Sequence, residues 1–573
     1  MFQRALRNDP VDLAIIVLSV TATLLLYSEL TTLGIVAWVV AYGALLGVVI
    51  ARLRPRWQGV LRQSVGGLVI LTFAVTPPLT TDEVSSAPIA WLSMGFVLVL
   101  LSALPMIEAI AGYVGVRIAN VPGLTVIPPV PLLKRLLHVV VLAAPALLFL
   151  LSRLHVDGWF WTLVAVPIGL TVLVIYAIAG LRQRTSRRTR AALPGALAAL
   201  KPDFVVYWDA PANTGFQLAM WLPYLRRLDR PFFIMLRNRR SWNDAVAVAG
   251  DVPVVLAPTM RDVDEFTVPS LRAAFYTNNA ARNTHFVRFQ KLTHIQLLHG
   301  ESDKAPSYNP VTAMYDRVYV AGRAGQDRYA RHGVLIDPRK FVIVGRPQVE
   351  SILSAPAGAR DRPHPVALYA PTWRGVRLDS SYTSLDVAEE IVEDLLARGC
   401  AVMFRPHPWS YKDPIHRAIN ERIQHRLGAH RSQTGVPHVF GDEAERLRSV
   451  NDCINDSDLM ISDVSSVVGD FLYSLKPLVT TAFGRDLTEF LAEFPLARAG
   501  YVITDDRATW TAAFDDALGP DSQRAVRAEM REYYLGSFPP EDYASGFIDA
   551  ARRDIDGTPP IGHAEAETDG ESD

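Results

Sequence analysis

Four short segments place chemically capable side chains at the ends of apolar runs. His299 closes "IQLLHG", Thr372 and Arg374 follow "LYAP", Arg405 and His407 close "VMFRPHP", and Asp463, Ser465 and Ser466 close "LMISDVSS". An imidazole with an ordinary pKa near 6.5 can take a proton from an attacking hydroxyl at neutral pH. A guanidinium, a second imidazole and hydroxyls ahead of a helix make a donor set for a phosphate-type anion, because the first helical N–H groups have no backbone acceptor. Gly300 and Lys304 sit just beyond His299, on the side of the base rather than of the anion. Each residue also has a plainer reading. A strand-end His is often only hydrogen-bonded, Arg405-Pro406-His407-Pro408 can be a rigid turn, and Asp463 with the serines can cap a helix. Trp373 and Trp409 are read as packing residues.

These groups need strands to hold them. From residue 201, β-rich runs recur with helix-length spacers: 204–208, 232–236, 252–257, 294–300, 317–322 and 340–345 in one block, then 365–373, 400–408, 458–463 and 477–483 in a second. That pattern predicts parallel sheets covered by helices. The polar, Pro-rich "SAPAGARDRPHP" separates the blocks, so the expected architecture is two Rossmann-like doubly wound domains facing across a cleft, at 200–350 and 360–552. Ligands in such folds bind beyond the carboxyl ends of the strands, where the four segments fall. No Gly-x-Gly-x-x-Gly follows the first strand and no Gly-x-x-x-x-Gly-Lys-Ser/Thr occurs, which removes support for nicotinamide and P-loop nucleotide chemistry. "DVDEF" (262–266) reads as a solvated acidic loop, and neither metal nor cofactor is expected. The tail 556–573 is apolar-poor and expected to be disordered.

The 573 residues carry a formal net charge of -1, which gives no global electrostatic case for nucleic acid. Cys400 and Cys453 are the two cysteines and lack companion ligands, which fits a reducing compartment. The apolar excess lies before residue 181. Expected membrane spans are 11–27, 32–51, 65–79, 88–107, 136–154 and 158–181, giving a polytopic α-helical membrane domain over 1–190. Lys and Arg cluster before span one and after spans two, four and six, ending in "LRQRTSRRTR"; this bias predicts a multi-pass protein of the cell membrane with its catalytic part in the cytoplasm, in reach of membrane lipids.

Together, "LLHGESDK", "VGRPQVES", "YAPTWRG", "FRPHP" and "SDLMISDVSSVVGDFLYSLKPLV" resemble the CDP-glycerol glycerophosphotransferase family of teichoic acid primases and polymerases. The resemblance implies a GT-B fold and transfer of glycerol phosphate from CDP-glycerol to an acceptor hydroxyl with release of CMP. It implies His299 as general base, Arg405 and His407 on the donor phosphates, and Ser465 and Ser466 in the donor site. Thr372, Arg374 and Asp463 join that donor rim by position, and Gly300 and Lys304 the acceptor side. Against the family's usual His-Gly-Thr-Pro-Leu-Lys, this chain keeps His299, Gly300 and Lys304 but has Glu301, Ser302 and Asp303 between them; Asp303 could orient His299 or compete with it. Gln348 and Glu350 also depart from the family's Gly-x-Pro-Arg-x-Asp.

The expected function is thus a membrane-bound CDP-glycerol glycerophosphotransferase of teichoic-acid-like polymer synthesis, acting on a lipid-linked or membrane-proximal acceptor. Two alternatives stay open: a transferase using a CMP-sugar, CDP-ribitol or another activated donor, and a non-catalytic membrane scaffold or export partner.

Overall fold

The computed structural model describes residues 10–26, 30–52, 69–70, 72, 87–103, 106–107, 115–126, 139, 143–150, 158–300, 303, 305–355, 362–375 and 382–559. Two compact units result: Met1–Arg117 with Gly123–Leu193, and Ile118–Pro122 with Pro194–Asp573.

The first unit contains the helices Pro10–Leu26, Thr31–Arg52, Ala87–Ser102 and Thr162–Ala199. Their inward residues, among them Trp38, Met94 and Val164, form one apolar core with Leu148 and Trp161, and Trp38 stacks on Phe149 at 4.1 Å. The outward residues are apolar as well: Leu92 is 74% and Leu163 65% exposed. A helix apolar all round does not suit water. Among the described residues only Trp159–Ala199 is long and apolar enough to cross a membrane, with mean hydropathy 2.4. The apolar stretches 17–26, 31–46 and 91–102 fall short of the roughly 20 residues a crossing needs. One of the six expected spans therefore meets the length requirement; the span 65–79 lies almost wholly, and 136–154 partly, outside the described residues. The arginine run is no loop, since the helix continues through it to Ala199.

The second unit holds two sheets. The strands in chain order are β1 (Ile118–Ala119), β2 (Phe204–Trp208), β3 (Phe232–Leu236), β4 (Val254–Leu256), β5 (Ala273–Tyr276), β6 (Thr293–Gln296), β7 (Arg317–Val320) and β8 (Phe341–Ile343), then β9 (Val366–Ala370), β10 (Ala401–Phe404), β11 (Leu459–Ser462), β12 (Leu478–Thr481) and β13 (Tyr501–Ile503). The first sheet runs β1-β4-β3-β2-β5-β6-β7-β8 and the second β10-β9-β11-β12-β13. All pairings are parallel except β1 with β4, where Ile118 faces Val255. Strands covered on both faces read as continuous apolar runs, and β2, "FVVYW", is buried at every position. The strand-forming segments 273–276 and 501–503 and the edge strand β1 were not among the expected runs, and "HIQLLHG" leaves the sheet at Gln296.

Strand order changes direction at two places, between β2 and β5 in the first sheet and between β9 and β11 in the second. Crevices open at such points because the flanking connections leave in opposite directions. The carboxyl ends there carry Asp209 and Thr277 in one lobe, and Thr372 with Asp463 in the other.

The second lobe does not keep its expected end at 552. Helix Ser545–Asp556 buries Phe547, Ile548, Ala551 and Ile555 in the core of the first sheet, with Phe547 against Trp221. The chain thus returns to the first lobe, and Gly322 is where it passes: a Cβ there would lie 2.5 Å from the Tyr533 carbonyl oxygen. Buried charges join the lobes. Asp303 accepts from Arg328 Nε at 3.1 Å, from the Tyr534 hydroxyl at 3.0 Å and from the Leu496 N–H at 3.3 Å. The Arg346 guanidinium, 5% exposed, is paired through Nε and Nη2 with the Asp470 carboxylate. Removing one partner of a buried pair leaves the other charged and desolvated, so Asp303→Ala is expected to destabilise the fold by about 3–5 kcal/mol, read as a lowered urea midpoint of the full chain.

Candidate active site

His299 stands at the carboxyl end of β6, half-buried, with its ring edge-on to Phe216. Its backbone approach is unusual. Leu298 has φ +55°, a left-handed conformation that costs a bulky side chain energy and persists only where surrounding bonds fix it. Those bonds are present: the Leu298 N–H donates to Gln296 Oε1 at 3.0 Å, and the Trp221 indole N–H donates to the Leu298 carbonyl at 2.6 Å. Gln296 is fixed in turn by its Nε2, which donates to Asn279 Oδ1 and the Asn278 carbonyl. The twist turns His299 so that Nδ1 lies 3.1 Å from the Thr277 carbonyl oxygen. A carbonyl only accepts, so Nδ1 carries the proton and Nε2 presents a lone pair. Burial lowers the ring's pKa from 6.5, and the Arg346 charge lowers it further, while the Thr277 bond acts against both. The ring is thus a neutral acceptor at neutral pH.

The opposite rim belongs to the second lobe. His407 Nδ1 accepts the Trp409 N–H at 3.1 Å, which places the neutral ring's proton on Nε2. The two histidines are complementary, one offering a lone pair and the other a donor. Trp373 and Trp409 meet edge to face at 4.8 Å beside His407, and Lys412 covers the Trp409 ring at 3.7 Å. Ser465 precedes helix Ser466–Leu472 with an extended backbone and makes no side-chain capping bond. The lobes touch here: a Cβ on Gly300 would lie 3.4 Å from Ser466 Cβ and 3.7 Å from its Oγ. His407 follows β10, two strand positions from β11, so the rim from His407 to Ser465 spans roughly 10 Å.

Other expected site residues face elsewhere. Asp463 is wholly buried: one oxygen accepts the Thr372 N–H at 2.6 Å, the other the Ser384 N–H at 3.0 Å and the Thr481 hydroxyl at 2.6 Å. Burial raises its carboxyl pKa, and these donors pull it back. Asp463 and Thr372 therefore build the rim from beneath. Arg374 pairs with Asp386 at 2.9 Å. Arg405 commits Nη1 to the carbonyls of Ala444 and Arg448, tying β10 to the 444–453 turn. Asp303 is engaged between the lobes and does not orient His299. Lys304, Glu301 and Ser302 lie outside the described residues. Gln348 donates to the Met220 carbonyl and Glu350 pairs with Arg227. Among the described residues no group of three or more His, Cys, Asp or Glu could hold a metal ion.

Sequence reading missed Thr277, Gln296 and Trp221, which set the ring of His299, and Arg346, which faces it. "AAFYTNN" did hold a signal for Thr277, an apolar β-rich run followed by polar residues, but Trp221 lies 77 residues from the carbonyl it binds.

Trp221→Phe keeps the ring and removes the N–H. It is expected to lower kcat about tenfold, the worth of roughly 1.4 kcal/mol, with the donor KM unchanged, and Trp221→His to recover part of the loss. Asp463→Ala strands two buried N–H donors and is expected to cost about 2–5 kcal/mol, seen as a drop in thermal midpoint.

Residues 265–492, which include His299, Arg405, His407 and both serines, match the family model described as CDP-Glycerol:Poly(glycerophosphate) glycerophosphotransferase. No curated protein matches the chain. Among solved structures, the wall teichoic acid polymerase TagF is 15% identical, covering 66% of this chain and 96% of its own, with TM-score 0.38. A TagF variant soaked with CDPG is 14% identical, covering 64% and 93%, with TM-score 0.39. A UDP-N-acetylglucosamine 2-epimerase from Listeria monocytogenes is 11% identical, covering 64% and 100%, with TM-score 0.42. By this match, the segment 265–492, which carries His299 and His407, is similar to the CDP-glycerol glycerophosphotransferases.

Proposed function

We propose that the protein is a membrane-bound enzyme that transfers glycerol phosphate from CDP-glycerol to a hydroxyl of a lipid-linked or membrane-proximal acceptor. His299 Nε2 takes the acceptor's hydroxyl proton as its oxygen attacks the glycerol-bearing phosphorus. The bond from that phosphorus to the bridging oxygen breaks, and CMP leaves with the bonding pair. Charge on the diphosphate is met by the Nε2–H of His407, the Ser465 and Ser466 hydroxyls and the guanidinium arms of Arg405 other than Nη1, donors held in place before the reaction. The observation that supports this reading is the close approach of the Gly300 backbone, next to His299, to Ser466, where an added Cβ would lie 3.4 Å from the serine's Cβ.

The membrane part of the reading is supported by the Trp159–Ala199 helix and by the apolar outer faces of its neighbours. Arg182, Arg184, Arg187, Arg188 and Arg190 follow its apolar stretch, which favours a cytoplasmic catalytic unit. Acceptors in or near the membrane suit an enzyme so anchored.

Full-length protein in detergent, given labelled CDP-glycerol and a membrane-lipid extract, is expected to release CMP in step with label transferred to lipid. Preference for CDP-ribitol or a CMP-sugar would overturn the donor, and His299→Ala with full activity the mechanism. That variant should lose about 10²–10⁴-fold in kcat. A base works when unprotonated, and the folded pKa of His299 lies below 6.5. The rate should therefore stay flat as pH falls from 8 to about 6.5 and decline only below the ordinary histidine range.

A further inference from the structure

We infer that the carboxyl edge of the first sheet carries a binding site for phosphate groups of the acceptor, formed by Arg239, Arg240, Arg282 and His285 around the crevice between β2 and β5. The inference rests on the proposed transfer reaction and names the chemistry of the acceptor: a chain or headgroup that already bears phosphodiester or pyrophosphate charge.

The first observation is topological. Strand order in this sheet reverses between β2 and β5, and the crevice at such a reversal is where open parallel sheets take their ligands. In the second lobe the corresponding crevice lies at the donor rim. The crevice of the first lobe has no role in the transfer scheme, yet it adjoins the base: His299 follows β6, next to β5, and its Nδ1 is bonded to Thr277 on that strand's end.

The second observation is charge. Arg237, Arg239 and Arg240 follow β3, Asp209 follows β2, and Arg282, His285 and Arg288 follow β5, all on one edge because these strands are parallel. Arg288 pairs with Asp264, and Arg282 Nη1 lies 3.7 Å from Asp209. No described carboxylate stands within ion-pair distance of Arg239 or Arg240, which are exposed on a single turn of 3₁₀ helix. Asn238 caps that turn by accepting the Arg240 N–H at 3.0 Å, so the pair is presented on a fixed backbone. Positive charge is left over at this rim once Asp209 and Asp264 are matched, and Asp244, the further carboxylate at this edge, accepts the Asn213 and Thr214 N–H groups and forms no ion pair with these arginines.

The third observation is at the floor. Arg237 is 5% exposed, and its Nη1 donates to the carbonyls of Ala257 and Thr259. Its Nη2 lies 3.2 Å from His285 Nδ1, and a guanidinium only donates, so the His285 proton sits on Nε2. Burial and the charges of Arg237 and Arg282 keep that ring neutral, a donor without charge beside charged donors. Arg237 Nε, Thr277 Oγ1 and Asn278 Oδ1 are buried here without hydrogen-bond partners. Buried polar atoms are seldom left so.

Geometry sets the ligand's reach. From β6 to β3 is three strand positions, roughly 14 Å at ordinary strand spacing. An acceptor with its terminal hydroxyl at His299 would place anionic groups further back along its chain at Arg282 and His285, then at Arg239 and Arg240. A neutral acceptor would gain nothing from this edge.

The test uses full-length protein in detergent with no donor present. A synthetic glycerol phosphate oligomer is titrated against wild type and Arg239→Ala/Arg240→Ala at several salt concentrations. The expected result is affinity that falls with salt for wild type, and at least tenfold weaker, salt-insensitive binding for the double variant, with Arg→Lys at both positions recovering part of it. Arg339→Ala, which removes an exposed arginine at the opposite end of the sheet, should bind as wild type does. With CDP-glycerol added, the ratio of kcat/KM for a phosphate-bearing over a neutral acceptor should fall about tenfold in the double variant. Equal binding by wild type and double variant, or an equal loss with a neutral oligomer, overturns the site. Wild type that binds the oligomer as expected but never releases CMP from CDP-glycerol retains the site and overturns the transfer reaction instead.

Discussion

The rim of the first lobe is organised around where one imidazole proton sits. The Thr277 carbonyl can only accept, so it holds the His299 proton on Nδ1 and leaves Nε2 open. Everything around that bond serves its direction. Leu298 takes a backbone conformation it would not choose, and an indole N–H and a glutamine amide on either side of its peptide groups hold it there. The strain is local and modest, of order 1–3 kcal/mol, and its result is a ring held by Nδ1 against the Thr277 carbonyl.

The facing lobe is built on the same economy of donors and acceptors. Asp463 spends both oxygens on two backbone N–H groups and a hydroxyl, so the ends of β9, β11 and β12 are held in register. In the proposed scheme the ligand is then met by His407, the two serines and the remaining arms of Arg405, not by Asp463. Between the lobes, Asp303, paired with Arg328, accepts from Tyr534 and Leu496, and Arg346 pairs with Asp470, so buried charge ties one lobe to the other. Such pairs contribute little net stability, because desolvation offsets their attraction, but they penalise every arrangement that breaks them. The proposed transfer, in which both sides of the cleft meet one phosphorus, would benefit from that selectivity.

Much of this was legible in the sequence. Buried parallel strands announce themselves as unbroken apolar runs, so β2, β3 and β11 could be placed within a residue, and β9 with its end three residues too long, with the polar residues after them on the rim. Strand β5 was hidden because "AAFY" is short and begins with two alanines. What sequence could not supply was the direction of side chains. Asp463 and Arg405 end the strands where an anion site was expected, yet one is turned wholly inward and the other sends an arm into its own lobe. Contacts such as Trp221 with Leu298, or the last helix with the first sheet, join residues that no local pattern connects.

The two-residue strand β1 has a disproportionate effect. It comes from the short segment 115–126, far upstream of the sheet it joins, and Asn120 secures it by donating to the carbonyls of Gly250 and Val252 at 2.8 and 3.0 Å. Its partner β4 would otherwise present a row of unsatisfied amides and carbonyls, a template for pairing with another chain. A catalytic fragment begun at residue 194 would lose this cover and be prone to self-association through the bared strand. Early and late parts of the polypeptide must therefore be made together for the sheet to be closed to its neighbours.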